Sequence, residues 1–144
     1  MLLKLIKESG IYLLYDNFFI WYYKKVFNKL KLNKNREIIL LLINNKIIGF
    51  TILKKTYSEN KICSLYIKEN FRNKGYSTYL INEAIKYLND KYPIISIDKR
   101  KINEFKYIFK KFNFNCTSIV NYIYIITKLK YILMKNKGDL NYGT

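Results

Sequence analysis

The residues best placed to do chemistry lie in one stretch, Leu65-Tyr66-Ile67-Lys68-Glu69-Asn70-Phe71-Arg72-Asn73-Lys74-Gly75-Tyr76-Ser77-Thr78-Tyr79-Leu80. An apolar strand there runs into a basic loop, a glycine, two small hydroxyl residues and an amphipathic helix. That is the make-up of an anion site. The first turn of a helix carries unpaired N–H groups and a partial positive charge. Gly75 has no Cβ and lets the backbone come close to a ligand. Ser77 and Thr78 can add hydroxyl donors, and Arg72 and Lys74 add charge. A pyrophosphate fits such a turn. The same residues also suit an ordinary strand–loop–helix junction with solvated basic side chains, so order and setting must decide between the two.

The rest of the pattern supplies elements to hold this turn. Glu37 to Ile43 reads as a strand, Asn44-Asn45-Lys46 as a tight turn, and Ile47 to Lys54 as the returning strand, because Asn tolerates the left-handed backbone of hairpins. Lys61 to Ile67 is a third strand, with Ile62, Ser64 and Tyr66 expected on one face and Cys63, Leu65 and Ile67 on the other. After the loop Lys68 to Lys74, a helix from Gly75 to about Asp90 aligns Leu80, Ile81, Ala84, Ile85 and Leu88 in one stripe. Pro93 to Ile97 is the apolar run of a buried strand. Asn103 to Phe112 is helical, with Phe105, Ile108, Phe109 and Phe112 turned inward. Cys116 to Tyr124 and Leu129 to Met134 add two strands, and the polar tail after Lys135 is expected to fray. Upstream, Asp16 to Leu32 carries its aromatics near helical spacing, with Asp16 or Asn17 available as a cap, and residues 2–14 form a short strand or helix. The order implies an α/β (α+β) chain, a mixed sheet with helices on its faces, in a single domain over residues 1–144.

Bulk properties narrow the class. The 144 residues suit one domain, and a hydrophobic fraction of 50% supports a packed core rather than a disordered chain. Lys4, Lys7 and Glu8 interrupt the apolar start, so no secretion signal is read there. No run approaches the roughly 20 apolar residues of a membrane span. A cytoplasmic protein without a membrane segment is the expectation. Cys63 and Cys116 stand in no CxxC pattern and read as reduced, buried thiols; with no histidine in the chain, no metal site is expected. The net charge of +17 would attract nucleic acid, an anionic surface or an anionic cofactor. Lysine far outnumbers arginine, however, and Ile, Asn, Tyr and Phe abound, as an AT-rich genome would also produce. The charge is therefore weak evidence for a nucleic-acid partner.

Arg72-x-x-Gly75-x-Ser77, after a strand ending in Ile67 and before a helix, resembles motif A of the GNAT superfamily of N-acetyltransferases. That motif reads Arg or Gln, two residues, Gly, one residue, then Gly or Ala, and its region here is about residues 61–90. Asn44 to Phe50 resembles the family's polar turn followed by Ile-Ile-Gly-Phe, and Ile95 to Phe114 its next strand and helix. Three departures stand out. Ser77 replaces the small apolar residue, Asn113 stands where Gly is common before Phe114, and Phe109 falls where many members carry a tyrosine proposed to protonate the departing thiolate.

The resemblance implies a GNAT-like three-layer fold, with a mixed, mostly antiparallel central sheet flanked by helices. It implies acetyl-coenzyme A (acetyl-CoA) as co-substrate, no metal, an amine acceptor on a small molecule, a peptide or protein, or an aminoacyl group, and a monomer or homodimer. Backbone N–H groups of Asn73, Lys74, Gly75, Tyr76, Ser77 and Thr78, beside Arg72, would hold the pyrophosphate. The pantetheine arm would pair with the strand end at Leu65, Tyr66 and Ile67, where an N–H of Leu65 or Tyr66 would polarise the thioester carbonyl. Asn103 would either contact the cofactor or cap its helix. A base must take the amine's proton. Ser96 and Asp98 are candidates, against plainer roles as a strand hydroxyl and a helix N-cap. Two alternatives remain: a basic domain that binds nucleic acid without chemistry, and a degenerate GNAT domain that binds the coenzyme without turnover.

Overall fold

Asn44 and Asn45 both take left-handed backbone, with φ of 48° and 60°. They close a tight hairpin between β1 (Arg36–Ile43) and β2 (Lys46–Lys55), as the sequence predicts. The computed structural model describes residues 1–15, 17–32, 35–121 and 129–135, with backbone only at positions 31, 98, 99, 115–121 and 129–135. β3 (Asn60–Ile67) lies antiparallel to β2, and β4 (Ile94–Asp98) lies parallel to β3. β5 (Phe114–Asn121) and β6 (Leu129–Lys135) complete one sheet of order β1-β2-β3-β4-β6-β5. One parallel pair among antiparallel ones makes the sheet mixed and mostly antiparallel, as expected. The positions Tyr122 to Tyr124 of the expected strand, the tail after Lys135 and the cap candidate Asp16 lie outside the described residues.

Two cores make the three layers. On one face, α4 (Tyr76–Leu88) and α5 (Ile102–Lys111) bury Ile81, Ala84, Leu88, Ile108 and Phe109 against Leu53, Ile62, Ile95 and Ile97. On the other, α1 (Leu2–Ser9) and the helical segment from Phe18 to Lys31 bury Leu5, Ile6, Phe18, Tyr22 and Val26 against Ile47, Phe50 and Ile52. That segment is not uniform. α2 (Phe18–Trp21) passes into a π-helical stretch, Tyr22–Phe27, and then α3 (Asn28–Lys31). Phe18, Tyr22 and Val26 are spaced by four and all buried; a wider turn keeps every fourth residue in line with the core.

The simple alternation expected along β3 needs correction. Ile52 pairs with Ser64 but Leu53 pairs with Ile62, so Cys63 is the extra residue of a bulge. Side chains before and after a bulge change phase. Ile62 and Leu65 accordingly pack in the core under α4 and α5, while Cys63 and Tyr66 pack in the core under α1 and α2. A second register shift, between Leu41 and Leu42, leaves Ile48 as the extra residue of β2.

β3 and β4 pair only at Lys61 with Ile94 and Ile62 with Ile95, then part. The later half of β3, Ser64 to Ile67, is left without a strand neighbour on the β4 side, and its strand pairing is with β2 alone. Gly49 makes the close approach possible. A Cβ there would lie 2.6 Å from Ile67 Cδ1 and 2.7 Å from the Tyr66 carbonyl oxygen. Gly49→Ala is therefore expected to push the end of β3 outward and to cost about 1–3 kcal/mol. Denaturant unfolding checks this, and an unchanged stability would mean that β3 yields freely.

Candidate active site

The turn between β3 and α4 is built from backbone geometry. After the short 3₁₀ turn Glu69–Phe71, the Arg72 N–H donates to the Glu69 carbonyl at 3.1 Å. The next amide with a protein partner is that of Tyr79, which donates to the Gly75 carbonyl at 3.1 Å. Between them, the N–H groups of Asn73, Lys74, Gly75, Tyr76, Ser77 and Thr78 make no hydrogen bond among the described residues. Asn73 and Gly75 are left-handed, with φ of 59° and 84°, a backbone that gathers successive amides into an anion-binding nest. Gly75 is the N-cap of the 13-residue α4, and a Cβ built on it meets nothing within 4 Å. The turn is thus open, and its amides are free for a ligand.

Arg72 acts differently from a freely solvated charge. Its Nε donates to the Ile67 carbonyl at 3.1 Å, and its guanidinium lies 5.9 Å from the Tyr66 ring centroid. It therefore ties the loop back onto the strand it follows. Lys74 places its ammonium 5.8 Å from the Phe71 ring centroid.

A cavity of about 710 Å³ begins at this turn, where Arg72, Asn73, Gly75, Ser77 and Thr78 line it. It runs along β3 from Ile62 to Ile67 and along β4 from Ile95 to Ile97, with Glu104, Phe105, Ile108 and Phe109 of α5 beside it. It ends among Ser9, Ile11, Leu14 and Tyr15. Since its walls draw on both cores, the cavity passes through the gap that the parting of β3 and β4 leaves in the sheet.

Most sequence-predicted residues meet here. Leu65, Tyr66, Ile67, Arg72, Asn73, Gly75, Ser77, Thr78 and Ser96 line the cavity, whereas Lys74 and Tyr76 do not and contribute only their place in the turn. Asn103 stands apart. It is exposed and outside the wall, and α5 begins at Ile102 with Lys101 at the cap position, so Asn103 is not the cap either. Its neighbour Glu104 lines the cavity instead, paired with the Lys101 ammonium at 2.7 Å. The side chain of Asp98 lies outside the described residues. Phe109 is in the wall and only 7% exposed, while Tyr107 stands at the rim, 72% exposed. Missed altogether is the wall from Ser9 to Tyr15, which shows no motif and is recruited only by packing across the sheet. Burial raises the pKa of the Tyr66 phenol, and it raises that of the Cys63 thiol although Arg36 Nη1 donates to its sulfur at 3.4 Å. Both groups stay protonated at neutral pH. Among the described residues no cluster of three His, Cys, Asp or Glu could hold a metal ion, and no helix is long and apolar enough to cross a membrane.

A parted sheet, an open amide nest at the head of α4 and a continuous cavity between them define an acetyltransferase fold. The model of the acetyltransferase (GNAT) family matches residues 8–104, and the chain belongs to that family. Among solved structures it is similar to the PaiA N-acetyltransferase of Thermoplasma acidophilum, determined with coenzyme A (TM-score 0.62, 19% identity, 90% of this chain and 84% of that one). It is also similar to the ribosomal-protein-S18-alanine N-acetyltransferase of Escherichia coli (TM-score 0.60, 15% identity, 74% of each chain). An aminoglycoside 6'-N-acetyltransferase complexed with coenzyme A matches with a TM-score of 0.60 and 12% identity, over 74% of this chain and 76% of that one. Likeness at such identities is a likeness of fold. No curated protein matches by sequence.

Proposed function

We propose that this chain transfers the acetyl group of acetyl-CoA to a primary amine. The observation that carries the reading is the set of unpartnered amides from Asn73 to Thr78 at one end of a cavity that runs along an unpaired strand edge. Free N–H groups at a helix start suit a pyrophosphate, and the empty space at Gly75 leaves room for it. The open edge at Leu65, Tyr66 and Ile67 suits the amide-bearing pantetheine arm, which can pair with a strand as another strand would. Bound there, the coenzyme supplies an activated acetyl thioester.

The protein's own part is positioning and polarisation. The N–H of Leu65 or Tyr66 would donate to the thioester carbonyl oxygen as charge develops on it. The gap in the sheet lets an amine approach from the α1 side, opposite the coenzyme, so that both reactants are held in line. Ser96 lines the cavity and would pass the amine's proton to solvent; the other candidate, Asp98, ends the same strand. Phe109 carries no hydroxyl to return a proton to sulfur, which favours one second reading, coenzyme binding without turnover.

Millimolar acetyl-CoA is expected to raise the melting temperature by several degrees, equivalent to about 3 kcal/mol at a hundredfold excess over Kd. Release of free thiol with an amine panel separates turnover from binding alone. No thermal shift would overturn the assignment.

A further inference from the structure

The far end of the cavity says what kind of amine it takes. Resting on the acetyl-transfer reading above, we infer that the acceptor is a primary amine carried next to an apolar or aromatic group, not a polycation. Ile11, Leu14, Tyr15 and Tyr66 line the cavity at the α1 side with Ser9, whose hydroxyl is spent on the Ile6 carbonyl at 2.7 Å. Four apolar and aromatic side chains at that mouth match an apolar group on the acceptor, whose burial supplies binding energy.

Charge acts in the same direction. The chain carries a net +17, and such a field repels a polyamine or an aminoglycoside and lowers its local concentration. Among the described residues the carboxylate that lines the cavity, Glu104, is engaged by Lys101. An apolar mouth also helps the chemistry. Only the neutral amine is a nucleophile, and desolvation disfavours its ammonium form. That matters in a chain without histidine to take the proton. In the step itself the amine nitrogen bonds to the acetyl carbon and the carbon–sulfur bond breaks. The sulfur leaves as thiolate, and the proton lost by nitrogen reaches it through solvent, giving an amide and free coenzyme A.

Thiol release should be measured with phenethylamine, leucinamide and a short peptide with a free N-terminal leucine, against spermidine and kanamycin, with coenzyme affinity determined separately. The apolar amines are expected to show kcat/KM higher by about tenfold or more. Leu14→Ala should lower kcat/KM for phenethylamine by a similar factor, with acetyl-CoA affinity unchanged, which also confirms that the variant is folded. Either ranking of the peptide against leucinamide supports the class and tells a peptide terminus from a free amine. Equal or better turnover of the polycations, or no turnover of any apolar amine by coenzyme-bound protein, overturns this inference while the coenzyme reading stands. Failure to bind acetyl-CoA overturns the reading beneath it.

Discussion

Gly75→Glu is expected to weaken acetyl-CoA binding by at least about a hundredfold, a loss of roughly 3 kcal/mol, whereas Gly75→Asn should weaken it by about tenfold and leave stability nearly unchanged. The two differ for a physical reason. Gly75 sits at φ 84°, where an ordinary side chain costs about 1–2 kcal/mol. Asparagine bears that backbone with little strain. In this chain Asn17, Asn35, Asn44, Asn45, Asn73, Asn89 and Asn113 all have positive φ. Asn at position 75 therefore keeps the turn and occupies the open space that a Cβ would enter. Glutamate adds strain and sets a carboxylate beside the amides that are to receive a diphosphate. Calorimetric titration with acetyl-CoA, alongside thermal melts, separates the contributions. If Gly75→Asn bound the coenzyme as tightly as the parent, the space over Gly75 would not be the phosphate site.

The same asparagines explain how much of the fold the sequence disclosed. Asn44 and Asn45 announced the hairpin and Asn113 the end of α5, because a side chain that tolerates left-handed backbone marks where direction changes. The turn at Gly75 was legible because strand, basic loop, glycine and amphipathic helix follow one another directly. Cys63 was not. Its bulge depends on how β3 registers against β2, a non-local relation that no pattern within the strand reveals, and it decides which side Tyr66 faces. Asn103 drew notice because it is polar and near a helix start, yet the helix begins one residue earlier, and its exposed neighbour Glu104 is the one that borders the cavity. The wall from Ser9 to Tyr15 carries no local mark either. Its role arises only when the α1 side is folded over the gap in the sheet.

That dependence leads to the second large effect, at Phe50. Its side chain is fully buried, sits across from Tyr66 in the β2–β3 register, and holds its ring 5.8 Å from the Tyr66 ring, in the core with Leu5, Ile6, Phe18 and Tyr22. Phe50→Ala removes a ring from a packed interior and is expected to cost about 3–5 kcal/mol, or roughly 10–20 °C in melting temperature for a chain of this size. Phe50→Leu keeps most of the volume and should cost about 1.5 kcal/mol or less. The consequence for the site is selective. Tyr66 loses the ring behind it and the α1-side mouth loosens, so KM for the acceptor should rise. The amide nest heads α4, whose buried residues pack in the opposite core, so coenzyme affinity measured well below the melting point should fall by a smaller factor than acceptor KM rises, the share lost being that of the Tyr66 edge and of Arg72 against its ring. Coenzyme affinity falling in step with acceptor KM would show that the two halves of the cavity are held by one core, contrary to the two-sided packing described above.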